Sequence, residues 1–516
     1  MAGSGYLAGV ADIVLTTLNA KYIHAAFGLR YLLANLGPLA ARTALVEFDI
    51  NQRPLDIVER LLAQEPKIIG FGVYIWNVEP TTAVIAALRR IRPDLIIVLG
   101  GPEVSYETED QPIVRLADHV ITGEADLKFA EVCAHLLNSG PPLPKIIAAD
   151  LPDFSRLALP YALYGAEDIA HRIVYIEASR GCPFTCEFCL SSLDIPVRAV
   201  PLPVLLDQLQ QLLDRGLKQF KFVDRTFNLN VAVSRTILEF LLERSRPGHF
   251  FHFEMIPDRL PESLREIIAR FPPGMLQFEV GIQTFNPEVG QLISRRQNYA
   301  KLEDNFTYLR QHTGVHIHAD LIAGLPGETL DSFAAGFDRL VALGPQEIQV
   351  GILKRLRGTP IIRHDVEWGL TWHPQPPYEI LCNRLIDFPT MQRLRRFAKY
   401  WDLVGNSGNF RHATPLIWHP DASPFHAFLR WSDWLHSRIQ RTDSIALVRL
   451  MELMFEYFTT ELALDPRLAA ETLWRDYQNG GRFDKPGFMK DYLPASAPRT
   501  VRPAATLPKR QARHLV

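Results

Sequence analysis

Short, continuous apolar runs alternate with amphipathic stretches along most of this chain, and that alternation limits the fold more than any other feature. In the first 140 residues the runs are Asp12–Thr17, Ala44–Phe48, Lys67–Val73, Leu95–Leu99 and His119–Thr122. Helix-period segments separate them, such as His24–Leu36 with Phe27, Leu29, Leu32, Leu33 and Leu36 apolar. Strands that are apolar throughout are covered on both faces, so the pattern predicts a parallel sheet between two layers of helices. Five such units predict a doubly wound α/β domain whose ligand sits beyond the carboxyl ends of the strands.

Proline-rich Gly140–Pro144 and the non-periodic stretch Leu151–Tyr164 suit a connecting segment. Alternation then resumes with strands near Ile173–Glu177, Gln219–Val223, Phe250–Glu254, Leu276–Gly281, His316–Ile322 and Glu347–Ile352, separated by helices such as Leu202–Leu213. Six βα units fall short of the eight that close a full barrel. They predict an open (β/α)6 partial barrel with its chemistry on the loops at the strand ends. Beyond Gly369 tryptophan, histidine and proline become frequent, and Asp443–Leu462 reads as a helix N-capped by Asp443. The expected organisation is a first domain over 1–145, a linker over 146–168, a barrel over 169–368, a mainly helical domain over 369–493 and a basic, proline-rich tail over 494–516. That division agrees with roughly 150 residues per domain.

With 55 Lys+Arg against 57 Asp+Glu, the net charge of −2 argues against a generally basic nucleic-acid-binding surface. No apolar run approaches the roughly 20 residues of a membrane span. Met1–Val10 lacks the basic flank of a signal peptide, so a cytoplasmic location is expected. Five cysteines in such a length exclude a disulfide scaffold.

Three of the five, Cys182, Cys186 and Cys189, form CxxxCxxC on the loop leaving the first barrel strand. Thiolates that close together converge on a soft metal. A structural zinc site takes four ligands, and the nearest preceding histidine, His171, lies at the far end of the strand. An iron–sulfur cube held by three cysteines keeps one iron open for a substrate. A zinc site or chance spacing is the alternative.

The spacing Cys182-Pro-Phe-Thr-Cys186-Glu-Phe-Cys189 resembles that of the radical S-adenosylmethionine (radical SAM) superfamily. The resemblance implies a [4Fe-4S] cluster on the three cysteines, S-adenosylmethionine chelated at the open iron and its reductive cleavage to a 5′-deoxyadenosyl radical. It places Phe188 beside adenine and Asp224, after the second strand, at the methionyl amine, although the usual Gly-Gly-Glu is absent there. Glu279 and Gln283 on the fourth strand match the ribose and carboxylate contacts. Ile322 and Gly324 on the fifth match the adenine support, and Leu353 on the sixth is a further S-adenosylmethionine contact. Turn glycines and exposed carboxylates are the bland reading of each; their order at successive strand ends favours the binding one.

The strand ends of the first domain carry Asn19, Tyr22 and His24, then Gly72, Tyr74, Trp76 and Asn77, then Gly100, Gly101, Pro102 and Glu103, then Gly123 and Glu124. Paired glycines after a strand admit a large ligand without a Cβ clash. The array resembles the cobalamin-binding domain fused ahead of many radical SAM enzymes, which implies a flavodoxin/Rossmann-like fold with a corrin over the strand ends. A nucleotide or a flavin is the competing ligand. The Asp-x-His-x-x-Gly that supplies a lower axial histidine is absent, since Gly28 follows His24 one residue too late. A capping or surface role is expected for His24; Tyr22, Asn77, water or nothing remains for the lower face of cobalt.

Cys133 lies at helical spacing among apolar neighbours and reads as core, as does Cys382 in Tyr378–Ile386. The isolation of Cys133 counts against methylthiotransferases. Among His249, His252, His316 and His318, a pair facing into the barrel would handle protons near neutral pH, hydrogen-bonded packing being the other reading. The basic tail is expected to be a solvated end. The expected function is a cobalamin-dependent radical SAM enzyme methylating an unactivated carbon of a small-molecule or natural-product substrate, fed by an external electron donor of flavodoxin or ferredoxin type. Radical cyclisation or rearrangement without methyl transfer is the second reading, and a cobalamin-responsive sensor or cluster scaffold the third. No residue is assigned a catalytic role.

Overall fold

A computed structural model of the protein describes residues 11–138, 140–194, 196–493 and 508–515. Met1–Val10 and most of the tail from Pro494 lie outside them. The chain forms two compact units: Met1–Arg225 with Lys354–Pro360 and His373–Tyr378, and Thr226–Leu353 with Ile361–Trp372 and Glu379–Val516.

The first unit opens with strands β1 (Ile13–Asn19), β2 (Thr43–Asp49), β3 (Ile68–Gly72), β4 (Ile96–Gly100), β5 (His119–Thr122) and β6 (Ile146–Ala148). Their order is β2-β1-β3-β4-β5-β6, parallel throughout. The order reverses between β1 and β3, which opens a crevice at their carboxyl ends. β1 is buried along its whole length, with Val14 and Leu18 in one helix-covered core and Ile13 and Leu15 in the other. Cys133 belongs to the second core; it is fully buried, and burial pushes its thiol up to about 12. β6 falls in the segment read as linker. Its three residues pair with β5, too short a run to stand out by hydropathy.

The helix expected from His24 begins only at Phe27, because His24 forms a parallel β-bridge with Ile173 and its Nδ1 lies 2.6 Å from the Tyr175 hydroxyl. The first unit continues with β7 (Val174–Ile176), β8 (Ser179–Arg180), β9 (Arg198–Ala199) and β10 (Gln219–Phe222). β7 and β10 pair in parallel, whereas β8 and β9 form a short antiparallel ribbon bracketing the three clustered cysteines.

In the second unit β11 (Phe250–Met255), β12 (Leu276–Gln283), β13 (His316–Ala323) and β14 (Glu347–Ile352) pair successively in parallel. On β11, β12 and β13 buried positions alternate with half-buried ones. A hairpin of β15 (Thr371–Trp372) and β16 (Ile380–Cys382) precedes the helices Phe388–Val404, Pro424–Ile439, Leu447–Thr460 and Pro466–Asn479. The first two pack through Phe397, Trp401, Phe425 and Phe428, with ring centroids 4.9–6.1 Å apart. Asp443 is not an N-cap: the third helix starts at Leu447 behind Ala446, with no side-chain cap. The described end of the chain is half-buried rather than free. Helix Lys509–His514 packs within the second unit, Arg510 pairing with Glu347 at 2.8 Å and Asp402 at 2.6 Å. A basic composition cannot reveal that a carboxylate waits elsewhere in the fold.

Within the first unit a buried ion network ties the sheet to the segment before β7. Arg30 reaches Glu47 at 3.1 Å and Asp168 at 2.9 Å, while Arg172 reaches the same two carboxylates at 2.6 and 3.0 Å. All four side chains are at most 9% exposed. Burial alone would raise the Glu47 carboxyl, but Arg30 and Arg172 outweigh it and hold it at about 2. A depressed folded-state value stabilises the fold above the unfolded value near 4.3 and ceases to do so as pH falls towards 2. Acid titration followed by circular dichroism is therefore expected to show a loss on the order of 3 kcal/mol across that window. Glu47→Gln is expected to flatten that part of the profile and to cost about 3–5 kcal/mol at neutral pH, because two buried guanidinium groups lose their shared partner.

Candidate functional site

A cavity of about 270 Å³ opens at the carboxyl ends of the first unit's sheet. Gly72, Tyr74, Gly100, Gly101, Gly123 and Glu124 line it, so six of the residues expected there share one wall. The glycines have separate reasons. Gly101 has φ +108°, and a Cβ would lie 2.4 Å from the Val73 carbonyl oxygen; Gly123 has φ +79°. Asn77 organises the turn after β3: its Oδ1 accepts from the Tyr74 N–H at 2.8 Å, and its Nδ2 donates to Thr17 Oγ1 and the Leu18 and Gly72 carbonyls. The amide is thereby spent on the fold.

The other expected residues fall around that wall. Tyr74 and Trp76 stack at 4.5 Å with planes 6° apart, and Trp76 stays 46% exposed. Asn19 donates to Glu47, and the Tyr22 hydroxyl donates to Glu167. Burial, then Lys21 and Lys221, push His24 below its ordinary value. Pro102 begins a short 3-10 turn. Glu103 is buried and gripped by Arg357 at 2.9 Å and the Tyr378 hydroxyl at 2.7 Å, from the two late segments that belong to this unit.

The cysteine loop leaves the same unit's strand β7. Among the described residues no cysteine is in a disulfide; Cys182 and Cys186 are buried and Cys189 is half-buried. Phe188 lies half-buried in the turn closed by the Cys189 N–H on the Cys186 carbonyl at 3.1 Å. Asp224 is buried and accepts from the Ala178 N–H at 2.9 Å and the Ser179 hydroxyl at 2.6 Å, holding the chain just before the loop. Burial pushes its carboxyl up to about 7. The loop is pinned again where Gly181, at φ +94°, passes so close to Asp194 that a Cβ would sit 2.7 Å from its carbonyl oxygen.

In the second unit Glu279 pairs with His252 at 3.0 Å. Gln283 has φ +73° beside a bulge in β12, and Ile322 is half-buried on β13. Gly324 turns at φ +94° against the Ile380 side chain, and buried Leu353 donates its N–H to the Ala323 carbonyl. His316 is buried against Glu347 at 2.8 Å, and His318 lies 3.4 Å from Asp320. Burial opposes charge on His318, yet Asp320 and then Glu347 and Glu279 raise it above its ordinary value. Cys382 is half-buried opposite Thr371.

Gly28, Tyr31, Gly70, Phe129 and Arg180 also line the cavity, and none is among the residues expected to bind there. Gly70 carried a signal: it sits two residues before Gly72 in an otherwise apolar strand, and a Cβ there would come 2.8 Å from the Phe129 ring. Arg180 carried none beyond its place before Gly181-Cys182. The donor chemistry suits the expected groups, since three thiols on one loop suit iron and sulfide. A glycine-floored, mostly apolar cavity of this volume suits one end of a larger cofactor.

Residues 13–133 match the family described as B12 binding domain, residues 176–340 the Radical SAM superfamily, and residues 366–504 a protein family of unknown function, DUF4080. An uncharacterized methyltransferase of Pyrococcus horikoshii is 24% identical over 54% of this chain and 65% of its own length. The cobalamin-dependent radical SAM methyltransferase TokK of Streptomyces tokunonensis is 23% identical over 56% of this chain and 47% of its own length. The chain thus spans about half to two thirds of the length of these curated relatives. The cobalamin-dependent S-adenosylmethionine radical enzyme OxsB shares the fold at a TM-score of 0.64, with 14% identity over 94% of this chain and 83% of its own.

Gly70→Ala is expected to drive a methyl group into the Phe129 ring and to lower stability by about 1–3 kcal/mol, read as a drop in thermal midpoint. Gly487→Ala, where nothing lies within 4 Å, is expected to stay within about 0.5 kcal/mol of the parent.

Proposed function

We propose that this chain, which belongs to the radical SAM proteins carrying an amino-terminal B12-binding domain, is a cobalamin-dependent methyltransferase acting on an unactivated carbon of a small molecule or natural product. The observation that carries this reading is the continuity within one unit between a glycine-floored cavity and a loop bearing Cys182, Cys186 and Cys189. In this assignment 1–145 hold cobalamin, 146–168 link, 169–368 hold the cluster and S-adenosylmethionine, 369–493 form the helical domain and 494–516 the tail. When bound, the cluster supplies the electron that cleaves S-adenosylmethionine, and cobalamin supplies the transferable methyl group.

The chain's own residues bind, orient and exclude water, as expected where cofactors carry the bond chemistry. The three thiolates hold the cluster, with Phe188 alongside. Asp224 fixes the Ala178–Ser179 peptide from which the cysteine loop departs. Glu279, Gln283, Ile322, Gly324 and Leu353 are assigned to S-adenosylmethionine, and Gly72, Tyr74, Trp76, Gly100, Gly101, Gly123 and Glu124 to the corrin and its tail. Asn19, Tyr22, His24, Asn77, Pro102 and Glu103 shape that wall from behind. His318 stands 3.4 Å from Asp320 on the half-buried face of β13, where that carboxylate favours its charged form. An electron donor of flavodoxin or ferredoxin type and a cytoplasmic setting belong to the same proposal; among the described residues no helix is long and apolar enough to cross a membrane.

Anaerobically reconstituted protein given S-adenosylmethionine labelled in its methyl group, and a reductant, is expected to form 5′-deoxyadenosine and to bind corrin. Cys186→Ala is expected to lose 5′-deoxyadenosine formation by at least about a hundredfold. With the true substrate, label in the product supports methyl transfer. Turnover with unlabelled product replaces it by radical rearrangement, and failure to cleave S-adenosylmethionine removes both.

A further inference from the structure

Arg180 sits two residues before Cys182, on the short strand from which the cysteine loop departs. Its side chain does not turn towards that loop. Nη1 reaches Glu124 at 2.7 Å and Asp126 at 2.9 Å, and Nη2 reaches Glu177 at 2.7 Å. The guanidinium lies 5.0 Å from the ring centroids of both Tyr31 and Phe154, so its faces are covered as fully as its edge. Glu124 and Asp126 come from the loop after β5, and together with Glu177 and Arg180 they line the cavity.

A second arginine repeats the connection from the other end of the cysteine loop. Arg198 pairs with Glu124 and, at 2.9 Å, with Asp194, whose backbone carbonyl accepts from the Cys182 N–H at 3.1 Å. Arg180 and Arg198 are register partners in the ribbon that brackets the cysteines. Glu124 therefore receives both ends of the loop, and its carboxyl lies below its ordinary value because the two arginines outweigh the effect of burial. Three carboxylates converge on Arg180, and Arg198 pairs with one of them, Glu124: a neutral side chain at position 180 would strand partly buried negative charge on the cavity wall. Lysine, a point donor, cannot span the three carboxylates as the planar fork does.

We propose that Arg180 is the positioning residue that couples the two cofactor sites, so that loading the cluster on the cysteine loop prepares the corrin cavity and corrin in the cavity favours the loaded loop. The proposal rests on the cofactor assignment made above. Fixing Cys182 in a cluster immobilises the backbone from which Arg180 projects, and Arg180 with Arg198 then holds the Gly123–Asp126 wall in place. Cobalamin entering a wall already ordered gives up less conformational freedom. Such linkage is reciprocal, since whatever factor the cluster contributes to corrin affinity, corrin contributes to cluster retention.

The test uses the full chain, anaerobically, with and without its reconstituted cluster, titrated with hydroxocobalamin and followed by the optical spectrum. The readout is the ratio of the two dissociation constants. In the parent protein cobalamin is expected to bind at least about tenfold more tightly to the cluster-loaded form, within the usual span of coupling between sites. Arg180→Gln, with iron and sulfide per chain retained, is expected to bring the ratio close to one, and Arg180→Lys to an intermediate value. Should Arg180→Gln fail to fold, Glu124→Gln, which weakens the acceptor of both arginines, is expected to lower the ratio in the same way. A parent ratio near one, or a parent-like ratio in the folded variants, overturns the coupling. Absence of cobalamin binding by the parent in either form overturns the cofactor assignment itself, and the coupling with it.

Discussion

Parallel strands cannot be joined by a tight turn; each must return through a crossover, most often a helix, and the departing loops then gather along the carboxyl edge. Both parallel sets of this chain obey that constraint, and the candidate residues follow from it. Gly72, Gly100 and Gly123 leave successive strands of the first sheet. Cys182 to Cys189 follow β7, Asp224 follows β10, and Gln283, Gly324 and Leu353 stand at the ends of β12, β13 and β14. The amino ends of the strands serve the fold instead, as with His316 and Glu347, which begin β13 and β14 and pair with each other.

Within the first unit two ion networks, one buried and one half-buried, are built on that frame. Arg30 and Arg172 share Glu47 and Asp168, tying the sheet to the segment before β7. Arg180 and Arg198 share Glu124, tying the cysteine loop to the cavity wall. Buried ion pairs add little net stability compared with apolar packing, but removal of one partner is severe. Their effect is to allow one arrangement of the β1, β5 and β7 segments, which apolar contacts alone would specify less sharply.

The longer strands were legible because those of the first sheet are mostly apolar runs and the later ones are rich in apolar residues, with helix-period sequence between them. Those that escaped were short: Ile146–Ala148, Thr371–Trp372 and the Ser179–Arg180/Arg198–Ala199 ribbon pair through a few backbone hydrogen bonds without a hydropathic signature. Asp443 looked like an N-cap because it precedes an apolar stretch, yet the chain enters that helix at Leu447. A cap depends on local dihedral angles, which neighbouring packing overrides. The glycine-rich strand ends were visible as residues, but what they approach was not: Phe129 against Gly70 and Val73 against Gly101 meet only after folding.

The sequence by itself determined the three-thiol motif, the glycines at the strand ends and the double βα alternation, because each is a local pattern of residue type and spacing. Only the tertiary structure decided which charges meet. Arg180 and Glu124 are 56 residues apart and Arg30 and Asp168 are 138 apart, and neither pairing leaves a trace in local composition. Coulombic and hydrogen-bonded partners are chosen by proximity in space, and that proximity exists only once the sheet, its crossovers and the cysteine loop have closed on one another.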